Sequence, residues 1–233
     1  VPLIDADQVV FGGWDIKSQN AYESALTAKV YEKHELEPIR EELTSIKAMT
    51  AVFEPDYVPG LEDGDNFKVA TTKMGYVDQV MEDIRQFRNE HRCDRMVMLM
   101  VSSTEADIEE LGEVHNSLEA FEKGLYDNDP GISPAMIYAY AAEKSRIPVI
   151  NGTPNLANIP ALLELANKMK VPICGRAFKT RQTLMKTVLA EAFLLRCLGV
   201  EGWVSPNFLG NRDGLALKNE RSFRSKEKTK SDV

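Results

Sequence analysis

Between Tyr76 and His91 the apolar residues Val77, Val80, Met81, Ile84 and Phe87 recur at steps of three and four with charges between them. That spacing predicts an amphipathic helix. The run Met96 to Val101 is apolar without a break and ends in Ser102-Ser103-Thr104-Glu105. It predicts a short strand buried on both faces, as in the middle of a parallel sheet. A helix carrying Ala135, Ile137, Tyr138 and Ala141 leads to a second strand at Pro148-Val149-Ile150, which closes on Asn151-Gly152-Thr153-Pro154. Pro160 to Lys170 then reads as a helix, followed by the strand Val171-Pro172-Ile173-Cys174. Helix and strand alternate, so the expected fold class is α/β with a Rossmann-like parallel sheet.

Ligands of open parallel sheets collect beyond the carboxyl ends of the strands. Ser102, Ser103 and Thr104, then Asn151-Gly152-Thr153, then Gly175 follow the three apolar runs and supply hydroxyls, amides and backbone N–H groups there. Any one of them also suits an ordinary turn or helix N-cap. Residues 38 to 70, with Pro55, Pro59, Gly60 and Gly64, predict a loop between helical pieces and no evident chemistry. After Thr187 the positions Val188, Leu189, Ala192, Phe193 and Leu195 form an apolar helical stripe that Gly199 would end, and Gly202-Trp203-Val204-Ser205 reads as a strand.

The chain has 233 residues and a formal charge of −8, enough length for a real core and the wrong sign for wrapping nucleic acid or anionic membrane. No apolar run reaches the roughly 20 residues that span a bilayer, and no signal peptide is visible. Cys93, Cys174 and Cys197 are odd in number and far apart, which favours reduced thiols over disulfides or a zinc site and predicts a cytoplasmic location.

Against this acidic background, Lys179-Thr180-Arg181-Gln182-Thr183-Leu184-Met185-Lys186 gathers lysines seven residues apart, two turns on one helical face. Asn211-Arg212-Asp213-Gly214 and Ser225-Lys226-Glu227-Lys228-Thr229-Lys230 follow. Neighbouring lysines depress one another's protonation and can serve proton transfer, or they clamp a phosphate or a developing alkoxide. The plainer reading is an amphipathic helix followed by a solvated basic tail.

Gly13-Trp14-Asp15-Ile16, Asn151-Gly152-Thr153-Pro154, Phe178-Lys179-Thr180, Gln182 to Thr187, Leu209 to Gly214 and Ser225-Lys226-Glu227 occur in order. As a set they resemble the myo-inositol-1-phosphate synthases, or inositol-3-phosphate synthases, from about residue 10 to the end. The resemblance implies NAD, a sugar-phosphate substrate and a homotetramer, and it leaves the use of a metal or ammonium ion open. The implied reaction isomerises D-glucose 6-phosphate to 1L-myo-inositol 1-phosphate by oxidation at C5, enolisation, aldol closure between C6 and C1, and reduction. Lys179, Lys186 and Lys226 match lysines that surround the substrate. Asp15 matches an NAD-contacting carboxylate suited to the adenosine ribose, Ser102, Ser103 and Thr104 run beside the cofactor, and Asn151, Gly152 and Asp213 match positions near the nicotinamide and substrate.

On this reading residues 1–174 are the Rossmann-like NAD-binding portion, lacking the family's N-terminal glycine loop. Residues 175–233 are an α+β catalytic and oligomerisation region without the family's C-terminal return, so the sheet is expected to be incomplete. Ala177 stands where the family has Asp, and Arg181 where it has Gly, a change that costs stability if that backbone needs positive φ. Two alternatives accompany the synthase: a truncated or impaired homologue acting as a binding scaffold, and another NAD-linked sugar-phosphate oxidoreductase.

Overall fold

The computed structural model describes residues 4–61, 63–178, 181–202 and 213–231. Near the start, β1 (Trp14–Asp15) pairs in parallel with β2 (Met49–Thr50), Trp14 lying opposite Met49. The crossover between them carries three short helices, α1 (Ala21–Ala28), α2 (Lys33–Leu36) and α3 (Arg40–Ser45). There follow α4 (Lys73–His91), β3 (Met98–Met100), α5 (Leu118–Asp127), α6 (Pro134–Lys144), β4 (Val149–Asn151), α7 (Pro160–Met169) and β5 (Ile173–Cys174). The described residues end with α8 (Arg181–Leu195), α9 (Asp213–Ala216) and α10 (Glu220–Ser231). Strands β3, β4 and β5 form a parallel sheet in that order, with Leu99, Ile150 and the thiol-bearing Cys174 in register.

Local sequence explains the helix starts. Thr72, Ser117 and Ser133 each accept a hydrogen bond from the backbone N–H three residues on, and Asn20 with Glu23 makes a reciprocal capping box. Pro134 and Pro160 occupy first-turn positions, where no N–H is needed. Three of the ends are less usual. Lys29, Arg92 and Lys170 close α1, α4 and α7 in the left-handed region that favours glycine, at φ 53, 51 and 57. Their positive charges sit at the negative ends of the helices, which offsets part of that cost.

The core lies between α4, α5, α6 and α7 and one face of the second sheet. Val80, Phe121, Leu125, Met136, Ile137 and Leu162 are wholly buried there, each stabilising the fold by about 1.5–3 kcal/mol.

Three expectations change. Strand β3 is not buried on both faces: Met98 and Met100 are buried, whereas Leu99 is 51% exposed, flanked by Val97 and Val101 at 59% and 67%. A continuous apolar run does not itself say what covers the second face. The apolar residues of α8 do not form a single covered stripe either: Val188 and Leu195 are exposed and Leu189 and Phe193 half-buried. Beyond α8 the left-handed residue is Cys197 at φ 53, not Gly199. The expected strand at Trp203 to Ser205 lies outside the described residues.

Candidate functional site

The polar ends of β3 and β4 are tied together by Asn155, a buried residue that the sequence reading did not single out. Its amide nitrogen donates to the Ser102 hydroxyl at 3.1 Å and to the Ser103 carbonyl at 2.9 Å, and its oxygen accepts from the Glu105 N–H at 2.8 Å. Asn151 donates back to the Asn155 carbonyl at 2.7 Å and accepts from the Thr153 N–H and hydroxyl at 3.0 and 2.8 Å. Burying so many polar atoms is tolerable because each is satisfied, and the result is a rigid frame at the strand ends. Ser102 stands exposed on this frame and Thr104 is buried in it.

Glu105 continues the frame inward. Its carboxylate accepts from the Ala135 N–H at 2.8 Å, and burial pushes the carboxyl up to about 7 against the opposing hydrogen bonds of Ser133 and Ala135. Close by, Lys73 donates to Glu54 at 3.0 Å and to the Ile132 carbonyl at 2.5 Å. The stretch 38–70, expected to be chemically silent, therefore supplies a partner for a buried lysine.

The segment after β5 is anchored on the same frame. Phe178 donates its N–H to the Gly152 carbonyl at 3.0 Å, and its ring occupies the space that a side chain at Gly152 would need. Gly175 turns at φ 91 against the Asn151 backbone, a close approach that only glycine allows. Lys179 follows Phe178 directly and lies, with Thr180, outside the described residues. Arg181 opens α8 in helical backbone, so the exchange of glycine for arginine carries no positive-φ penalty. Within the signature the unusual backbone is at Ala177, at φ 154, where L residues are rare.

From the other side α10 closes over these loops. Ser222, Ser225 and Thr229 form its buried face, and the Thr229 hydroxyl donates to the Pro154 carbonyl at 3.3 Å. Lys228 pairs with the buried carboxylate of Asp107 at 2.5 Å, and Arg224 pairs with Glu109 at 2.7 Å. The plainer reading of this segment, a solvated basic tail, does not hold: it is a docked helix. Lys226 is half-buried on it, three residues before Thr229. Asn151, Pro154, Asn155, Asn158, Arg176 and Thr229 contribute to the wall of a pocket of ≈ 320 Å³.

The structure thus brings Ser102, Ser103, Thr104, Asn151, Gly152 and the helix of Lys226 to one place. Lys186 is exposed on α8, and Asp213 opens α9 with its side chain outside the described residues. Asp15 is exposed at the end of β1, where its Oδ1 accepts from the Lys17 N–H at 2.9 Å. Sequence offered one signal for Asn155, the second Asn in Asn151-Gly152-Thr153-Pro154-Asn155; for Asp107 it offered none. Among the described residues no three His, Cys, Asp or Glu side chains are grouped to hold a metal ion, and no helix is long and apolar enough to cross a membrane.

Parallel strands whose carboxyl ends carry small polar residues beside a pocket define an α/β protein of the nucleotide-cofactor class. Comparisons narrow the class. The NAD-binding family described as myo-inositol-1-phosphate synthase matches residues 1–210, and the chain belongs to that family. It is 46% identical over its whole length to inositol-3-phosphate synthase 1 of Bacteroides thetaiotaomicron, covering 54% of that protein. It is 34% identical to inositol-3-phosphate synthase of Brassica napus, covering 46% of it. The crystal structure of inositol-3-phosphate synthase from Caenorhabditis elegans superimposes with a TM-score of 0.88 at 30% identity, over 100% of this chain and 46% of that one. The chain spans about half the length of the curated relatives it matches.

Proposed function

We propose that this chain binds NAD and works with it in converting D-glucose 6-phosphate to 1L-myo-inositol 1-phosphate. The observation that carries the reading is the framed cluster of Ser102, Ser103, Asn151 and Gly152 beneath α10, in a chain of this family.

The donor set suits the cofactor. An exposed carboxylate at Asp15, with one oxygen already oriented by Lys17, is fitted to accept from ribose hydroxyls. Ser102, Ser103, Thr104, Asn151 and Gly152 would hold the remainder, with Asp213 beside them. When bound, NAD supplies a hydride acceptor for the first step and returns that hydride in the last, so no net oxidation accumulates. The chain's own part is electrostatic and acid–base. Lys179, Lys186 and Lys226 would hold the phosphate, stabilise the alkoxide and enolate oxygens, and move the proton at C6. Removing bulk water is the role of α10, whose docking by Asp107–Lys228 and Thr229 covers the strand ends. A homotetramer built through residues 175–233 belongs to the same proposal.

Product analysis tests it. With D-glucose 6-phosphate and NAD, inositol phosphate should form without net NADH, and Lys186→Ala or Lys179→Ala should lower turnover by at least ~100-fold. Stoichiometric NADH would assign the chain to the dehydrogenases instead.

A further inference from the structure

One ion pair, between a buried lysine and a half-buried aspartate, lies apart from the strand-end cluster and meets the Gly13-Trp14-Asp15-Ile16 segment directly. Asp83, on α4, accepts from the Trp14 indole N–H at 2.6 Å and from Lys68 at 2.6 Å through the same oxygen, Oδ2. Lys68 is nearly inaccessible, its side chain 4% exposed, and it reaches the Thr50 hydroxyl at 3.2 Å. Thr50 is the residue opposite Asp15 in the β1–β2 pairing. The Trp14 ring also packs against Tyr138 at 5.2 Å between centroids, and the Tyr138 hydroxyl accepts from the Val52 N–H at 2.8 Å.

Strand β1 is only two residues long, and two residues of ladder cannot fix an orientation by themselves. The substitute is this set of side chains. Helix α4 grips Trp14 through Asp83, α6 grips it through Tyr138, and the Asn66 amide bridges the Asp15 and Met49 carbonyls at 2.9 and 3.1 Å. Successive strand residues point to opposite sides, so holding Trp14 against the core sets Asp15 outward. Asp83 in turn pairs the charge of the buried Lys68, which would be costly to leave alone at that depth.

We infer that Asp83, with Lys68, is a positioning residue for the cofactor site: it fixes Trp14 and thereby the Asp15 carboxylate that is to meet the adenosine ribose. The inference rests on the NAD reading given above. It assigns to Asp83 no contact with the cofactor.

The test compares Asp83→Leu, Asp83→Asn and Asp15→Asn with the parent chain, at a temperature where circular dichroism shows all of them folded. Asp83→Leu should exchange the Lys17 amide hydrogen at least ~10-fold faster and raise the Kd for NAD by at least ~10-fold. It should leave binding of nicotinamide mononucleotide, which has no adenosine, unchanged. Asp83→Asn keeps an acceptor for the indole and should recover part of the loss. Adding Asp15→Asn to Asp83→Leu should weaken NAD little further, since both act through one contact. Unchanged Lys17 exchange, equal weakening of both nucleotides, or additive losses would overturn the inference while leaving NAD binding in place. A parent chain that binds no NAD would instead overturn the cofactor reading itself, whatever the exchange data give for Lys17.

Discussion

The packed layer of α4 to α7 and helix α8 use similar residues to opposite ends. In the first, Phe121, Leu125, Met136 and Leu162 are wholly buried. In α8, Leu184, Val188, Leu194 and Leu195 are 60–84% exposed despite a comparable supply of apolar side chains. What separates them is phase. The apolar residues of α4 and α5 share one side of the helix, whereas in α8 Leu184, Met185, Val188, Leu189, Phe193, Leu194 and Leu195 run around it. A one-sided helix packs on a single neighbour; an all-round one is satisfied only when contacted from several directions. The two regions therefore divide labour: α4 to α7 hold the strand ends still, and α8 carries Lys186 on a surface largely open to contact.

Variants sharpen this contrast. The largest effect is expected at Phe121, where Phe121→Ala leaves a cavity in a sealed core and should cost about 3–5 kcal/mol in urea denaturation. Glu143, on α6, is the exception inside that core. It is wholly buried, neither carboxyl oxygen has a hydrogen-bond partner, and burial pushes its carboxyl up to about 8. From the ordinary carboxylate range near pH 4.5 up to about 8, the unfolded chain gives up this proton while the folded chain keeps it. Its contribution to stability therefore falls as pH rises through that window and is fully spared below it. Glu143→Gln should remove this component, so the parent should lose about 2–4 kcal/mol relative to the variant between pH 4.5 and pH 8. Equal pH profiles for the two would show that the Glu143 carboxyl is solvated after all. The smallest effect is expected in α8, where Leu195→Ala should change stability by less than about 0.5 kcal/mol. A loss near that of Phe121→Ala would mean that α8 is already covered.

Much of the layered core was legible in sequence because periodicity is a local signal. Val77, Val80, Ile84 and their neighbours mark α4, Ala135, Ile137, Tyr138 and Ala141 mark α6, and Pro160 marks the start of α7. The two-residue strands β1 and β2 were not legible, since two residues cannot show alternation. The exposure of Leu99 is hidden from sequence for a different reason: an apolar run reports what a strand can bury, not what lies against it. For the site, the family motifs led to Asn151 and Gly152. Asn155, which joins them to Ser102, and the Asp107–Lys228 latch that docks α10 depend on partners 50 to 121 positions away. No window of sequence contains such a pair.

Hydrogen exchange with and without saturating NAD tests the division of labour most directly. Protection should rise at Asp15 to Lys17, at Ser102 to Thr104 and at Asn151 to Thr153, while Leu184 to Leu195 stays unchanged. Protection confined to α8, or absent from all three strand-end segments, would contradict the assignment of the cofactor to the end of β1 and the framed ends of β3 and β4.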